Sequence, residues 1–333
     1  MRRMRIAQIG INRNSHGKEI FETLKKFPEI FEIAGYALVE NERENCAKKL
    51  FVFDGYKELT LEEILNDPTI EAVTVETDEV HLTKYALMAA EHGKHIHMEK
   101  PGSQSLEDFE RLIRTVKAGG KVFHIGYMYR YNPYIIELIE KVRSGELGEI
   151  YSVEAQMNCR HKASTREWLG SFKGGMMFFL GCHLVDLVLQ IQGVPTNVIA
   201  LNRSTGMDGV ETEDYGMAVL EYPNGVSFVK TCGAEIGGFV RRQLVVSGTK
   251  GTVELKPLEI LLPNTSYLQY TDKTEYTEAD DWHTKGVSER SEIFDRYDDM
   301  LLAFAAMVRG EKINPYTADY ELELFKVLLK CCQ

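Results

Sequence analysis

Apolar residues in this chain come in short runs that end on glycine, an acid or a lysine, and between the runs they recur at helical spacing. Arg5-Ile-Ala-Gln-Ile-Gly10 predicts a buried strand ending on glycine, and Lys18 to Lys26 carries Ile20, Phe21 and Leu24 on one helix face. Glu32 to Val39 predicts a second strand with Glu40 at its end, Leu61 to Leu65 a short helix, and Ala72 to Glu76 a third strand closed by Thr77. Leu82 to His92 predicts a helix capped by Gly93, and His95 to Met98 returns to a strand that runs into Glu99-Lys100-Pro101. Strands alternating with helices imply right-handed crossovers and a parallel sheet covered on both faces. Ligands on such sheets bind beyond the carboxyl ends of the strands, where Gly10, Glu40, Thr77 and Glu99-Lys100 all fall.

The second half has a different rhythm. Asn132 to Ser144 predicts a helix with Ile135, Ile136, Leu138, Ile139 and Val142 on its buried side, ended by Gly145 and Gly148. Ile150 to Asn158 alternates as a half-buried strand, and Cys159-Arg-His-Lys162 with Arg166-Glu-Trp168 reads as a polar loop. Gly174 to His183 leads into an apolar helix over Leu184 to Gln192, with His183 and Asp186 near its start. Asn197 to Leu201, Gly216 to Tyr222, Val226 to Cys232, Arg242 to Ser247 and Thr252 to Leu255 are strand-like. Turns at Pro223-Asn-Gly225 and Thr249-Lys-Gly251 join the later ones as antiparallel hairpins. The acidic run from Glu275 to Asp281 reads as a solvated loop, and helices over about Phe294 to Arg309 and Tyr320 to Lys330 close the chain.

Length changes this picture by requiring two modules: 333 residues exceed the roughly 250 at which a single core stops growing. A net charge of -11 offers no broad basic surface for phosphates, so nucleic acid is not an expected partner. No apolar run reaches the roughly 18 residues of a membrane span, and a strand beginning at Arg5 leaves no room for a signal peptide, so a cytoplasmic protein is expected. The six cysteines contain no C-x-x-C pair; they read as reduced thiols, with no disulfide framework and no metal site.

The candidate chemistry begins at the first glycine turn. Strand, glycine and helix suit a phosphate site, because a helix N-terminus offers unpaired N–H groups and glycine lets the backbone approach closely. The loop reads Gly10-Ile-Asn-Arg-Asn-Ser-His-Gly17, with Asn12 where a second glycine is usual. Asparagine tolerates left-handed backbone, which preserves the turn, while its side chain takes room beside the phosphates. On this loop alone, a ligand-free turn and a phosphate site fit equally well. Glu40 stands where an acid bonds an adenosine ribose and repels a 2'-phosphate, favouring NAD over NADP, with Arg43 nearby to blunt the preference.

Several blocks then point the same way: His81 followed by Ala86-Leu-Met-Ala-Ala-Glu-His-Gly-Lys-His95 into Glu99-Lys-Pro101, Gly126 to Pro133, Ser144 to Ile150, Val246 to Thr252, and Pro315 to Asp319. Together they resemble the Gfo/Idh/MocA family of glucose-fructose oxidoreductase and inositol dehydrogenase. The resemblance implies an α/β protein: an N-terminal Rossmann domain with a doubly wound parallel sheet over 1–125, and a C-terminal α/β domain with an open, largely antiparallel sheet over 126–333 for substrate binding and oligomerisation. It implies an NAD-dependent dehydrogenase, with NADP left open, that moves a hydride to or from a hydroxyl-bearing carbon of a sugar, polyol or glycoside. Partner copies would pair as a homodimer or homotetramer through the C-terminal sheet. Cofactor contacts would fall to Gly10, Asn12, Glu40, Thr77, His81 and Glu99, catalysis to Lys100 and His183, and substrate contacts to Tyr129, Asn158, Arg160 and Trp168.

Pro101 is expected to shape the turn that aims Lys100, through a cis bond. The family pattern also places an acid four residues before the histidine, where this chain has Phe179. The missing carboxylate leaves three options: His183 and Lys100 suffice, a neighbour substitutes, or the reaction differs. Redox-assisted glycoside cleavage and a non-catalytic sugar or nucleotide sensor are the competing readings.

Overall fold

The computed structural model describes residues 2–277 and 282–333. Contacts divide the chain into two units, Met1–Tyr127 with Tyr297–Leu322, and Met128–Arg296 with Glu323–Gln333. The chain thus returns to its first unit after Arg296, a segment that a single division at 125 assigns wholly to the second.

The first unit runs β1 (Met4–Ile9), α1 (Gly17–Lys26), β2 (Phe31–Ala37), α2 (Glu42–Asn45), α3 (Leu61–Asn66), β3 (Ala72–Val75), α4 (Leu82–Glu91), β4 (His95–Met98), α5 (Leu106–Gly119) and β5 (Phe123–Ile125). Its five strands pair in parallel in the order β2-β1-β3-β4-β5. β3 is buried along its whole length and β1 almost so, which is why their residues run apolar rather than alternate. The order reverses between β1 and β3, which opens a crevice beyond their carboxyl ends. Helix starts are specified locally. Thr60 and Glu63 form a reciprocal capping box on α3, and the Ser105 hydroxyl accepts from the Asp108 N–H at the start of α5.

The second unit contains α6 (Pro133–Arg143), β6 (Ile150–Asn158), α7 (Ala163–Trp168), α8 (Cys182–Gln192), β7 (Asn197–Ala200), β8 (Tyr215–Tyr222), β9 (Gly225–Cys232), β10 (Gln243–Gly248), β11 (Gly251–Leu255), β12 (Ile260–Leu261), β13 (Leu268–Tyr270), β14 (Asp272–Tyr276), β15 (Val287–Arg290) and β16 (Phe294–Asp295). Then α9 (Asp298–Val308) lies in the first unit, and α10 (Ala318–Cys331) begins there and ends in the second. Eight strands form one sheet in the order β15-β14-β11-β10-β6-β9-β8-β7, antiparallel except for β6 with β9. Val153, Ala155 and Met157 of β6 face inward against α8, while Ser152, Glu154 and Gln156 point to the other face. The α/β class and the parallel-plus-antiparallel division follow the sequence expectation.

Several local expectations are corrected. Arg166 to Trp168 belongs to α7, and Arg166 is fully buried, with Nη1 donating to Asp214 Oδ2 at 2.9 Å and Nη2 to Asp208. Burial of that guanidinium between two carboxylates fixes a helix where polarity suggested a loop. Phe294 and Asp295 pair with β13 as strand residues, so the helix after them starts only at Asp298. Ile136 turns outward from α6. Glu275 lies on β14, where it accepts from Lys141 and Lys273 at 2.7 Å each; residues 278–281 of the acidic run lie outside the described residues. The carboxylates of Glu137, Glu275 and Glu289 converge on the Lys273 ammonium. Among the described residues no helix is long and apolar enough to cross a membrane.

Candidate active site

In the first unit, the glycine turn is built as its sequence requires. Gly10 ends β1 at φ +83, and a Cβ there would lie 2.8 Å from both Glu42 Oε1 and Thr77 Cβ, so only glycine fits. Gly17 opens α1 against β3, where a Cβ would stand 3.0 Å from Glu76 Cβ. Asn12 behaves differently from expectation. It is not among the residues of positive φ, and its side chain is completely buried. Its Nδ2 donates to Thr77 O at 3.1 Å and to Glu79 Oε2 at 2.9 Å, while its Oδ1 accepts from the N–H groups of Asn14 and Ser15. The asparagine is a polar pin beneath the loop. Lys49 grips the same loop, donating to Asn12 O at 2.8 Å and Ser15 O at 2.9 Å.

The loop fits a dinucleotide on this evidence. No side chain caps the N-terminus of α1, and Asn14 Nδ2 and Ser15 Oγ are buried with no hydrogen-bond partner in the protein. Glu40, at φ +50 beyond β2, accepts from Tyr85 Oη at 2.7 Å and Lys84 Nζ at 2.8 Å, bonds that keep its carboxyl below the usual range. His81 Nδ1 stands 3.7 Å from the same oxygen. Glu42, two residues further on, reaches the glycine turn instead; burial pushes its carboxyl up to about 7.

Lys100 lies at the end of β4, buried, with the Lys100-Pro101 bond cis as expected. Its Nζ is 3.7 Å from Glu99 Oε1. Three buried carboxyls share this end of the sheet: Glu76, Glu79 and Glu99. Burial raises all three. The Lys100 charge opposes that rise at Glu99, which reaches about 7, and at Glu79. Glu76 is held well above the ordinary range by burial and then by the negative charges of Glu99, Glu19 and Glu79; neither of its oxygens has a hydrogen-bond partner. Behind it, His97 Nε2 stands 3.7 Å from Glu76 Oε1 and His97 Nδ1 lies 2.8 Å from His124 Nδ1. Burial lowers His97 to about 3, so this imidazole is neutral.

A consequence for stability follows from Glu76. Its folded pKa lies above the ordinary 4.5, so from that value upward the unfolded chain loses a proton the folded chain keeps, and stability declines as pH rises. Glu76→Gln is therefore expected to be close to neutral in melting temperature near pH 5 and to gain progressively over wild type toward pH 8. Thermal melts at the two pH values check this; an unchanged difference contradicts it.

In the second unit, a five-residue π-helical turn, Met177–Gly181, runs into α8 and sets His183 at its second position. Such wide turns often mark functional sites. Tyr129 packs edge-on against His183 with centroids 5.0 Å apart, and its hydroxyl donates to Glu259, which also binds Arg242 and, at 2.5 Å, Arg296. Asp186 is engaged elsewhere: Arg130 donates to it twice, at 2.8 and 2.9 Å, and both side chains are buried. Phe179 makes an apolar wall instead of a carboxylate. Trp168 meets it edge-on at 5.1 Å and His161 tilts against it at 6.2 Å. Asn158 is fully buried with neither amide atom bonded within the protein, and Arg160 is exposed, bridging Ala234. His161, which sequence reasoning passed over, is lowered to about 4 by burial and then by the charges of Arg242 and Arg166, and its Nε2 has no partner.

Within the first unit, then, Gly10, Asn12, Thr77, Glu99 and Lys100 gather at the strand ends, and Glu40 with His81 stands beyond β2. Within the second, Tyr129 meets His183, while Trp168 meets Phe179. Two family models match the chain: the GFO/IDH/MocA oxidoreductase family with its NAD-binding Rossmann fold over residues 4–127, and the GFO/IDH/MocA C-terminal domain over 135–254. The chain belongs to the Gfo/Idh/MocA family. It is an oxidoreductase with that family's NAD-binding domain. An uncharacterised oxidoreductase of Rhizobium meliloti is 26% identical over 271 residues, 80% of this chain and 78% of that protein. The scyllo-inositol 2-dehydrogenase (NADP(+)) of Bacillus subtilis (strain 168) is 30% identical over 171 residues, covering 49% and 46% of the two chains. Levoglucosan dehydrogenase, solved with NADH and levoglucosan, shares the fold at TM-score 0.79 and 18% identity, covering 99% and 97%.

The buried acids Glu76 and Glu79 were not legible as site residues, because acids at strand ends are ordinarily solvated. Glu42 and Lys49 likewise carry no spacing signal. All four lie outside the blocks that carry the family resemblance.

Proposed function

We propose that this Gfo/Idh/MocA protein is a dehydrogenase that transfers a hydride between a hydroxyl-bearing carbon of a sugar or polyol and a nicotinamide. The observation that carries the reading is Lys100, a buried lysine at the carboxyl end of β4, in the same unit as the glycine turn. The similarity to an inositol dehydrogenase supports the substrate class. Residues 1–125 are proposed as the cofactor domain and 126–333 as the substrate and oligomer-forming domain.

When bound, the nicotinamide supplies the hydride acceptor or donor. The chain supplies the rest. Gly10 and Asn12 shape the loop for the pyrophosphate, Thr77 and His81 flank it, and Glu99 orients the nicotinamide side. Glu40 stays ionised and disfavours a 2'-phosphate, so NAD is the proposed cofactor even though one relative uses NADP. His183 is proposed as a base that takes a hydroxyl proton during oxidation, and Lys100 as a hydrogen-bond donor to a substrate oxygen. A positioned base of this kind contributes roughly 10² to 10⁴ in rate. Tyr129, Asn158, Arg160 and Trp168 are the proposed substrate contacts. Copies would pair through the outer face of the large sheet, where Ile199, Val219 and Phe228 stand in one cross-strand row.

A second reading, redox-assisted glycoside cleavage, is favoured by the aromatic wall of Phe179 and Trp168 where a carboxylate is usual. A screen of polyols, free sugars and glycosides with NAD and NADP separates the readings. Reduced cofactor is expected with polyols or sugars, and NAD is expected to be preferred. Released aglycone with no net reduction would favour cleavage, and cofactor binding with no turnover across the panel would favour a sensor.

A further inference from the structure

One buried arginine of the second unit, Arg242, holds two of the proposed site residues and, through one of them, a third. β6 and β10 run antiparallel with Gln156 opposite Gln243, so Arg242, one residue before β10, stands beside the carboxyl end of β6. From there its guanidinium divides. Nε donates to Asn158 O at 3.1 Å, while Nη1 donates to Tyr129 Oη at 3.3 Å and to Glu259 Oε1. The planar fork makes this possible, because its nitrogens point at acceptors on separate segments at once. Phe239 covers the guanidinium face with its ring centroid 4.3 Å from Cζ, and the main chain is tied as well, Leu258 N–H donating to Arg242 O at 2.8 Å.

The frame closes on Glu259. Its carboxylate is completely buried and accepts from Arg242 and the Tyr129 hydroxyl on Oε1, and from Arg296 Nη2 at 2.5 Å on Oε2. Burial alone would raise this carboxyl, but the charges of Arg296 and Arg242 outweigh it and hold it below the usual range. Burial also raises the Tyr129 phenol, and the Glu259 charge adds to the rise, so the phenol keeps its proton and donates it. The hydroxyl of Tyr129 thus donates once and accepts once within the frame, while its ring meets His183 edge-on with centroids 5.0 Å apart. A buried ring tethered at its far end has one place to stand, and the imidazole packed on it shares that constraint.

We propose that Arg242 and Glu259 are positioning residues for His183, acting through Tyr129, and that Tyr129 serves the site with its ring and not with its hydroxyl. This deepens the dehydrogenase reading and rests on it for the role of His183 as a base. A base works only within hydrogen-bond reach of its proton, and a displacement of about 1 Å can cost roughly 10²-fold in rate. The same guanidinium holds Asn158 by its carbonyl, so one side chain ties the end of β6 to the tyrosine that packs on His183. Arginine is required for this at position 242. A lysine keeps the positive charge beside Glu259 but replaces the fork by a single nitrogen, which loosens the hold on Asn158 O or on Tyr129 Oη.

The test follows the imidazole nitrogens of His183 by magnetic resonance in the full chain with isotope-labelled histidine, the signals being assigned by their loss in His183→Asn. Arg242→Lys and Tyr129→Phe are compared with Lys273→Met, which removes the ammonium shared by Glu137, Glu275 and Glu289 in the same unit and is bonded to none of the frame residues. The His183 signals are expected to move in the two frame variants and to stay at their wild-type positions in Lys273→Met, although its melting temperature falls. With a substrate that turns over, Tyr129→Phe is expected to lower kcat by about 10-fold and Arg242→Lys by about 10²-fold, with KM within a few-fold of wild type in both. His183 signals superposable on wild type in the folded frame variants would overturn the proposal whatever the melting temperatures, and so would an equal displacement in Lys273→Met. A raised KM at unchanged kcat in Tyr129→Phe would also overturn it, because it places the hydroxyl on the substrate. If Arg242→Lys does not fold, Tyr129→Phe carries both readouts. If no substrate turns over, the dehydrogenase reading fails, and the nitrogen signals still decide whether the frame positions His183.

Discussion

Replacing Lys100 with methionine is expected to lower turnover by about 10² to 10⁴-fold while leaving cofactor affinity within a few-fold of wild type. Methionine keeps most of the side-chain volume at a buried position and removes only the ammonium, so packing around the end of β4 survives. The carboxyls beside it adapt rather than unfold the chain. Glu99 already sits near 7, and without the Lys100 charge it rises further and takes a proton, which removes the uncompensated negative charge. Steady-state kinetics for turnover and calorimetry for NAD binding separate the two effects. Equal loss of both would place Lys100 in cofactor binding, and unchanged turnover would remove it from catalysis.

The largest effect on stability is expected from Asp186→Ala. Asp186 accepts two bonds from the Arg130 guanidinium and a third from Gln190 Nε2 at 2.9 Å, and both ends of the pair are buried. Removing one partner strands the other charge, which costs about 3 to 5 kcal/mol. In a chain of this size that corresponds to a fall of roughly 4 to 7 °C in melting temperature. The double variant Arg130→Met with Asp186→Leu is expected to recover much of the loss, because a buried ion pair is worth little over an apolar pair of similar volume. The cycle of two single variants and the double measures the coupling directly. Asp186 lies three residues after His183 on α8, so turnover in the double variant also reports whether the pair fixes the histidine. Equal melting temperatures for wild type and Asp186→Ala would contradict the structural role.

How far the sequence could be read depended on whether a residue's task was local. β1, β3 and β4 were legible because a parallel strand covered on both faces must be apolar throughout, and β6 because a half-covered strand must alternate. The ends of α4 and α6 were legible from Gly93, Asn132 and Gly145, each with a cap or turn role that the residue type announces. The strands β12 to β16 were missed: two to five residues long, they hold their places by pairing with distant partners rather than by any alternation of their own. α7 was missed because Arg166 looks solvated in sequence, and only Asp208 and Asp214, some forty residues on, reveal why it is buried.

The candidate site divides along the same line. Glu99, Lys100 and His183 stand out from a motif, and the same motif marks Phe179 as a departure, while its contacts with Trp168 and His161 follow only from the fold. The direction of the Asn12 side chain was not legible, since it depends on where Glu79 and Thr77 lie after folding. Nor were the buried states of Glu76 and Glu79, which depend on α1 and the loop covering the strand ends.

Hydride transfer from a carbinol carbon is the central claim, and isotope transfer tests it most directly. The full chain is incubated with NAD and a panel of polyols and sugars deuterated at their carbinol carbons, and the reduced cofactor is weighed by mass spectrometry. One deuterium in the reduced nicotinamide, absent when Lys100→Met replaces wild type, is the predicted result. Product formed with its deuterium washed into solvent and none in the cofactor would contradict it.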